Sequence, residues 1–228
     1  MRNSLIIIKK QVKDTLKNKT VLIQFILFPI MALIMENAIR IDSMPELFFT
    51  KLFSIMYIGM APLTSVASII SEEKEKNTLR VLSMANVKPW QYLFGVGFYV
   101  WIICMIGAGV MAAVIKKEDI PFYLLVMAVG FAVSILAGAC IGIFAGNQMT
   151  ATSIVMPVML VFAFSPMLAM FNENIEKVAR FAYTQQLKVF MDGMSFSGIK
   201  TDNILILAVN AMLMAVLFFI AFRKKGLE

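Results

Sequence analysis

The sequence predicts an all-α integral membrane protein in which six helices cross the bilayer. Of its 228 residues, 60% are hydrophobic and only 15% are charged, whereas the surface of a soluble domain needs many more charges. Its mean hydropathy is +0.83. A spanning helix needs about 20 apolar residues, and six segments have that length: residues 20–39, 47–70, 90–115, 120–145, 150–171 and 203–222. They leave no room for a second domain, so residues 1–228 are predicted to form a single transmembrane domain.

The residues that most enzymes rely on are scarce. The chain has no histidine, and its two cysteines, Cys104 and Cys140, lie inside apolar segments. Histidine is the commonest general base and metal ligand, and two such cysteines support neither a disulfide framework nor a zinc site. No G-x-x-x-x-G-K-[ST] motif occurs for binding ATP phosphates. We therefore expect no catalytic residue, metal or cofactor in this chain, and a membrane enzyme is the least favoured class.

The charges predict how the chain is oriented. With the N-terminus in the cytoplasm, most of the 21 basic residues fall in cytoplasmic segments, and most of the 14 acidic residues fall on the other side. This distribution follows the positive-inside rule. We expect a multi-pass protein of the bacterial cytoplasmic membrane with both termini inside. The net charge of +7 then reflects orientation rather than binding to nucleic acid.

An amphipathic segment, residues 4–19, precedes the first span. Its apolar residues recur at helical spacing and lysines fill much of the remaining surface: Leu5, Ile8, Val12 and Leu16 against Lys9, Lys10, Lys13 and Lys17. This pattern is typical of a helix that lies on an anionic membrane surface, so membrane lipid is an expected partner. The alternative is an ordinary charged flank that orients the first span.

A second amphipathic pattern occurs in the external segment between the fifth and sixth spans, residues 172–202. The residues at roughly helical spacing are Ile175, Val178, Ala179, Ala182 and Gln186. The spacing predicts a short helix half-submerged in the outer interface. A solvated loop is the alternative.

The segment between the second and third spans, residues 71–84, is dense in charge. Ser71 can cap a helix whose first turn holds Glu72, Glu73 and Glu75. Lys76 follows Glu72 at the spacing of a stabilising ion pair. Further along, Leu79 and Leu82 share one face, which predicts that they enter a groove on a partner. A plain solvated loop is again the alternative.

The interiors of the third to sixth spans contain no Asp, Glu, Lys or Arg. Ion-coupled transporters usually need such residues near the midplane of the bilayer, where the coupling ion binds. If this protein moves a substrate uphill, we expect the energy to come from another subunit.

The charged segment resembles the signature of the type 2 ABC exporter permeases, in which Glu-x-Glu-x-x-Thr-Leu precedes a basic residue, a tryptophan and a glycine. The matching positions are Glu73, Glu75, Thr78, Leu79, Lys88, Trp90 and Gly95. The amphipathic N-terminal helix, the six spans and the semi-buried external segment extend the resemblance over the whole chain. Residue 77 is Asn where that family often has Gly, and the external segment lacks the proline often found before its aromatic stretch.

The resemblance implies that residues 71–84 form the coupling helix that docks on a separate ATP-binding subunit. The implied coupling and docking residues are Glu72, Glu73, Glu75, Lys76, Thr78, Leu79, Arg80 and Leu82. The partner subunit, not this chain, would bind ATP and Mg. A second permease chain, identical or paralogous, would complete the transporter.

The resemblance also implies export, and the composition favours an amphipathic or hydrophobic substrate, such as a peptide or bacteriocin, a drug or a lipid. The 19 Met and 19 Phe residues fit such a substrate because they form an adaptable apolar surface. Pro62, Pro157 and Pro166 would break the second and fifth spans where packing changes, with static kinks as the alternative. The rival class is a membrane protein that transports nothing: an immunity, sensor or assembly subunit.

Overall fold

The computed structural model describes residues 2–17, 19–39, 44–84, 87–195 and 200–225, and no strand occurs in these ranges. The α-helices in chain order are α1 (Arg2–Lys17), α2 (Lys19–Ala38), α3 (Phe48–Glu75), α4 (Thr78–Met84), α5 (Pro89–Met111), α6 (Ile120–Phe144), α7 (Gln148–Leu168), α8 (Glu173–Ala179), α9 (Tyr183–Gly193) and α10 (Thr201–Lys225). A 3-10 turn, Ala112–Val114, follows α5.

Within the described ranges, five helices are long and apolar enough to cross a membrane: α3, α5 with its 3-10 turn, α6, α7 and α10. The apolar part of α2, Leu22–Ala38, is shorter. Together they give about six spans, so the predicted fold class is confirmed.

Helix α3 lies at the centre of the bundle and packs against α2, α5, α6 and α7. Two of its contacts bring helix backbones close together at a glycine. A Cβ on Gly138 of α6 would lie 2.5 Å from the carbonyl oxygen of Leu63, and a Cβ on Gly59 would lie 2.8 Å from the backbone nitrogen of Ala163 in α7. Small residues commonly have this role in membranes because they let helix backbones come together.

The helices continue through their prolines, so the expected breaks at Pro62, Pro157 and Pro166 do not interrupt α3 or α7. A proline still removes one backbone donor and leaves the carbonyl four residues earlier without its helical partner. For Pro62 that carbonyl belongs to Ile58, and Ser134 Oγ of α6 donates to it at 2.7 Å. A neighbouring helix thus supplies the missing bond, as the absence of water in a bilayer requires.

The same arrangement recurs at Pro29 in α2, a proline that the sequence reasoning did not single out. The carbonyl four residues earlier belongs to Phe25, and the hydroxyl of Tyr57 in α3 donates to it at 3.3 Å. These two bonds join α3 to α6 and α2 at the positions where the helical ladder is incomplete.

The N-terminal segment is helical, but it buries different side chains from those that its periodicity selects. Helix α1 packs mainly on α5. Ile7 and Gln11 are buried, Ile8 is half-buried and Val12 is exposed. The side chains of Leu5, Leu16 and Lys17 lie outside the described residues. The contact with α5 therefore buries a face of α1 that the sequence pattern did not select.

The segment after α7 holds two helices, α8 and α9, where the spacing predicted one. Asn172 caps α8 by accepting from the backbone N–H of Asn174 and Ile175. Val178 of α8 is 74% exposed, so it does not pack on the rest of the bundle. The chain turns after α8, and α9 contacts α3, α6, α7 and α10. The aromatic ring of Tyr183 is fully buried there, so α9 packs on the bundle.

Candidate coupling site

Helix α3 extends through Ser71 and ends at Glu75, so the prediction that Ser71 caps a new helix is wrong. Ser71 is buried, and its hydroxyl donates to the carbonyl of Ser68 within α3. The acidic residues therefore lie in the last turn of α3, where the helix dipole disfavours negative charge. Each of them needs a compensating partner, and the partners of Glu73 and Glu75 come from other helices.

Glu73 joins α3 to α1. It is only 7% exposed. Its Oε1 accepts a hydrogen bond from Lys10 Nζ at 2.8 Å and another from Gln11 Nε2 at 2.6 Å. A buried carboxylate is stable only when it is paired and hydrogen-bonded, so these contacts explain how Glu73 can be buried. The Tyr92 hydroxyl of α5 adjoins the same carboxylate.

The next two residues join α3 to α6 and α7. Lys74 Nζ donates to the carbonyl of Ile143 at 2.7 Å, in the last turn of α6. Glu75 Oε2 accepts from the backbone N–H of Gln148 at 2.9 Å, at the first residue of α7. A cation at a helix C-terminus and an anion at an N-terminus both satisfy free backbone groups and complement the helix dipole.

Glu73, Lys74 and Glu75, which we call the charged junction, thus contact three different helices. Successive side chains of a helix point about 100° apart because a turn contains about 3.6 residues. Three consecutive polar residues can therefore reach α1, α6 and α7 from the end of a single helix. A displacement of this end of α3 acts on all three helices at once.

A sharp turn separates the charged junction from α4. Asn77 has φ of 55°, in the left-handed region that asparagine and glycine adopt most readily. Asn can therefore replace the glycine common at this position in the family that the sequence resembles. Thr78 Oγ1 donates to the carbonyl of Glu73 at 3.0 Å and fixes the turn. The expected helix over residues 71–84 is thus two elements: the end of α3 and the seven-residue α4.

Leu79 and Leu82 face the core of this chain. Leu79 is only 4% exposed and belongs to the same buried cluster as Ile7 and Tyr92, and Leu82 packs against that cluster. Both side chains thus pack towards the core of this chain in this conformation, and α4 packs against α3. Their contact with a partner subunit stays a prediction.

The opposite side of α4 is open. Val81 is 63% exposed and Met84 is 83% exposed. We call these two residues, with the exposed Lys76 and Asn77, the docking face. Lys76 forms the predicted ion pair with Glu72. The side chain of Arg80 lies outside the described residues.

Sequence reasoning missed Lys10, Gln11, Lys74, Val81 and Met84. The first three gain their roles from residues distant in the chain, which no local pattern reveals. Val81 and Met84 had a usable signal: they are three residues apart on the face of α4 away from Leu79 and Leu82.

The fold and this site define a multi-pass helical membrane protein in which a short helix with an exposed apolar face is attached to the end of the central span. The family model described as "ABC-2 family transporter protein" matches residues 3–223. The chain therefore belongs to the ABC-2 transporter family and is a membrane subunit of that class. The comparison with curated proteins gives no match.

Proposed function

We propose that this chain is the transmembrane permease of an ATP-driven exporter and that a separate ATP-binding subunit docks on α4. The observation that carries the proposal is the charged junction. It connects a short helix with an exposed apolar face to three further helices. In this proposal the ATP-binding subunit holds ATP and Mg, and the charged junction and both termini lie in the cytoplasm of a bacterial cell.

The contacts of α4 and the charged junction can transmit a movement of α4 to the other helices. A load on Val81 or Met84 reaches α3 through the buried Leu79 and through the bond from Thr78 to the carbonyl of Glu73. From the charged junction it passes to α1, α6 and α7 through the bonds described above. ATP binding to the partner would then move these helices together, as rigid-body switching between two packings requires.

The proposal includes a second permease chain, identical or paralogous, and a substrate path between the two chains. The span of α7 leaves most of its surface exposed, including Met149, Met156 and Leu160. Large exposed apolar faces mark contacts with lipid or with other chains. Flexible methionines on α7 and α3 would suit an amphipathic or hydrophobic cargo, such as a peptide or bacteriocin, a drug or a lipid. Pro62, Pro157 and Pro166 then lie on the helices that line the path.

Co-purification tests this proposal. The chain is expressed with a P-loop ATPase encoded by a neighbouring gene, as wild type and as Val81→Asp and Met84→Asp. We expect the ATPase to co-purify with the wild type and to be lost from both variants, because a charge disrupts an apolar contact. Val178→Asp is the matched control, since Val178 is equally exposed but lies on α8.

ATPase stimulation across a panel of candidate cargoes then tests transport. Stimulation by a hydrophobic peptide, drug or lipid would support the exporter. The alternative is a membrane subunit that transports nothing, such as an immunity or sensor protein. An ATPase that fails to bind the wild-type chain would favour that alternative and contradict our proposal.

A further inference from the structure

An aromatic groove of about 700 Å³ opens between α5 and α10, with apolar residues of α6 as its floor. Trp90, Phe94, Phe98 and Trp101 form the α5 wall, and Phe219 and Phe222 face them from α10. The rings of Phe94 and Phe98 stack with centroids 5.6 Å apart, and those of Phe98 and Trp101 stack at 6.2 Å. The groove therefore presents a continuous aromatic surface, and it is separate from the coupling site.

The dimensions of the groove match one leaflet of a bilayer. Trp90 is the second residue of α5, and Trp101 lies three turns further, about 17 Å along the axis at about 1.5 Å per residue. The hydrocarbon core of a bilayer is about 30 Å thick. The groove is therefore about as long as one leaflet of that core is thick.

The mouth of the groove is basic. Lys88 immediately precedes α5, and Arg223 and Lys224 follow Phe222 at the end of α10. All three are exposed, and none forms an ion pair within the residues that the structure describes. Basic residues at the membrane surface attract anionic headgroups. The length of the apolar groove suits an acyl chain, and the basic residues beside it suit an anionic headgroup.

We propose that the groove binds an acyl chain of an anionic phospholipid whose headgroup contacts Lys88, Arg223 and Lys224. The lipid comes from the leaflet that contains the charged end of α3, since α5 begins and α10 ends on that side. The aromatic walls hold the chain by apolar contact, and the cations select the headgroup. The site does not depend on the proposed transport function.

Tryptophan fluorescence tests this proposal directly, because the only two tryptophans of the chain both line the groove. The full-length protein is reconstituted in phosphatidylcholine vesicles that contain either brominated phosphatidylglycerol or brominated phosphatidylcholine at equal mole fraction. Trp90→Phe leaves Trp101 as the single reporter inside the groove. We expect the brominated anionic lipid to quench Trp101 several-fold more efficiently than brominated phosphatidylcholine.

A triple variant, Lys88→Gln with Arg223→Gln and Lys224→Gln, isolates the headgroup contact. We expect its quenching by the anionic lipid to fall to the level of phosphatidylcholine, with unchanged helix content. The matched control, Lys116→Gln with Lys117→Gln and Lys200→Gln, removes the same charge far from the groove and should keep the preference. Equal quenching of Trp101 by both lipids in the Trp90→Phe protein would overturn the proposal. Weak quenching by both would also overturn it, because it would indicate a protein occupant.

Discussion

Glu75, the last residue of α3, accepts a hydrogen bond of 2.9 Å from the backbone N–H of Gln148, the first residue of α7. The bond joins the end of the central helix to the start of another span, across a sequence separation of 73 residues. Lys74 makes the complementary bond to the end of α6. The loop between α6 and α7 is thus held at both of its helix ends by two adjacent residues of α3.

Loss of Glu75 should loosen the start of α7. In Glu75→Ala the amide of Gln148 loses its acceptor and the N-terminus of α7 loses a favourable negative charge. The expected cost is about 1 kcal/mol. We expect faster hydrogen exchange in peptides that begin α7, measured by mass spectrometry on the reconstituted protein. Glu173→Ala, at the exposed start of α8, is the control and should leave α7 unchanged; equal protection of α7 in both variants would contradict this role.

Two neighbouring glutamates should differ sharply in their importance. Glu73→Ala leaves Gln11 buried without its acceptor and removes the partner of Lys10, at an expected cost of about 2 kcal/mol. Glu72→Ala removes only the exposed pair with Lys76, worth about 0.3 kcal/mol. Thermal unfolding in one detergent should therefore show a clear loss of stability for Glu73→Ala and almost none for Glu72→Ala. Similar losses would mean that the contact with α1 contributes little.

The sequence predicts interactions between residues that are close in the chain better than interactions between residues that are far apart. The spans were predictable because apolar length is a local property, and the pair of Glu72 with Lys76 was predictable because one turn of helix brings them together. Glu73 and Lys10 are 63 residues apart, so their contact depends on how α1 packs. The extension of α3 through Ser71 was missed because a serine followed by glutamates is typical of a helix N-terminus but also occurs inside a helix.

The turn at Asn77 should accept glycine but not a β-branched residue. Its φ of 55° suits glycine, whereas a β-branched side chain in the left-handed region costs about 1–2 kcal/mol. Asn77→Gly should therefore keep wild-type stability, and Asn77→Val should lose it and misplace α4. Thermal unfolding and capture of the ATP-binding subunit measure the two effects. If Asn77→Val bound the ATPase normally, the orientation of α4 would not matter for docking.

The bond from Ser134 to Ile58 should matter only because Pro62 interrupts the helical ladder of α3. Ser134→Ala leaves the carbonyl of Ile58 without a donor in a water-free environment, at an expected cost of about 1 kcal/mol. In a Pro62→Ala background the restored backbone N–H can bond that carbonyl, so the same Ser134→Ala change should cost less.

A double-mutant cycle on thermal or chemical unfolding measures this coupling. The serine hydroxyl also lies 2.7 Å from the hydroxyl of Tyr183, so a Tyr183→Phe cycle with Ser134→Ala separates the two contacts. We expect coupling of Ser134 to Pro62 to persist when Tyr183 is replaced, because the donor to Ile58 is the serine itself. Strictly additive effects of Ser134→Ala and Pro62→Ala would show that the carbonyl of Ile58 finds another donor.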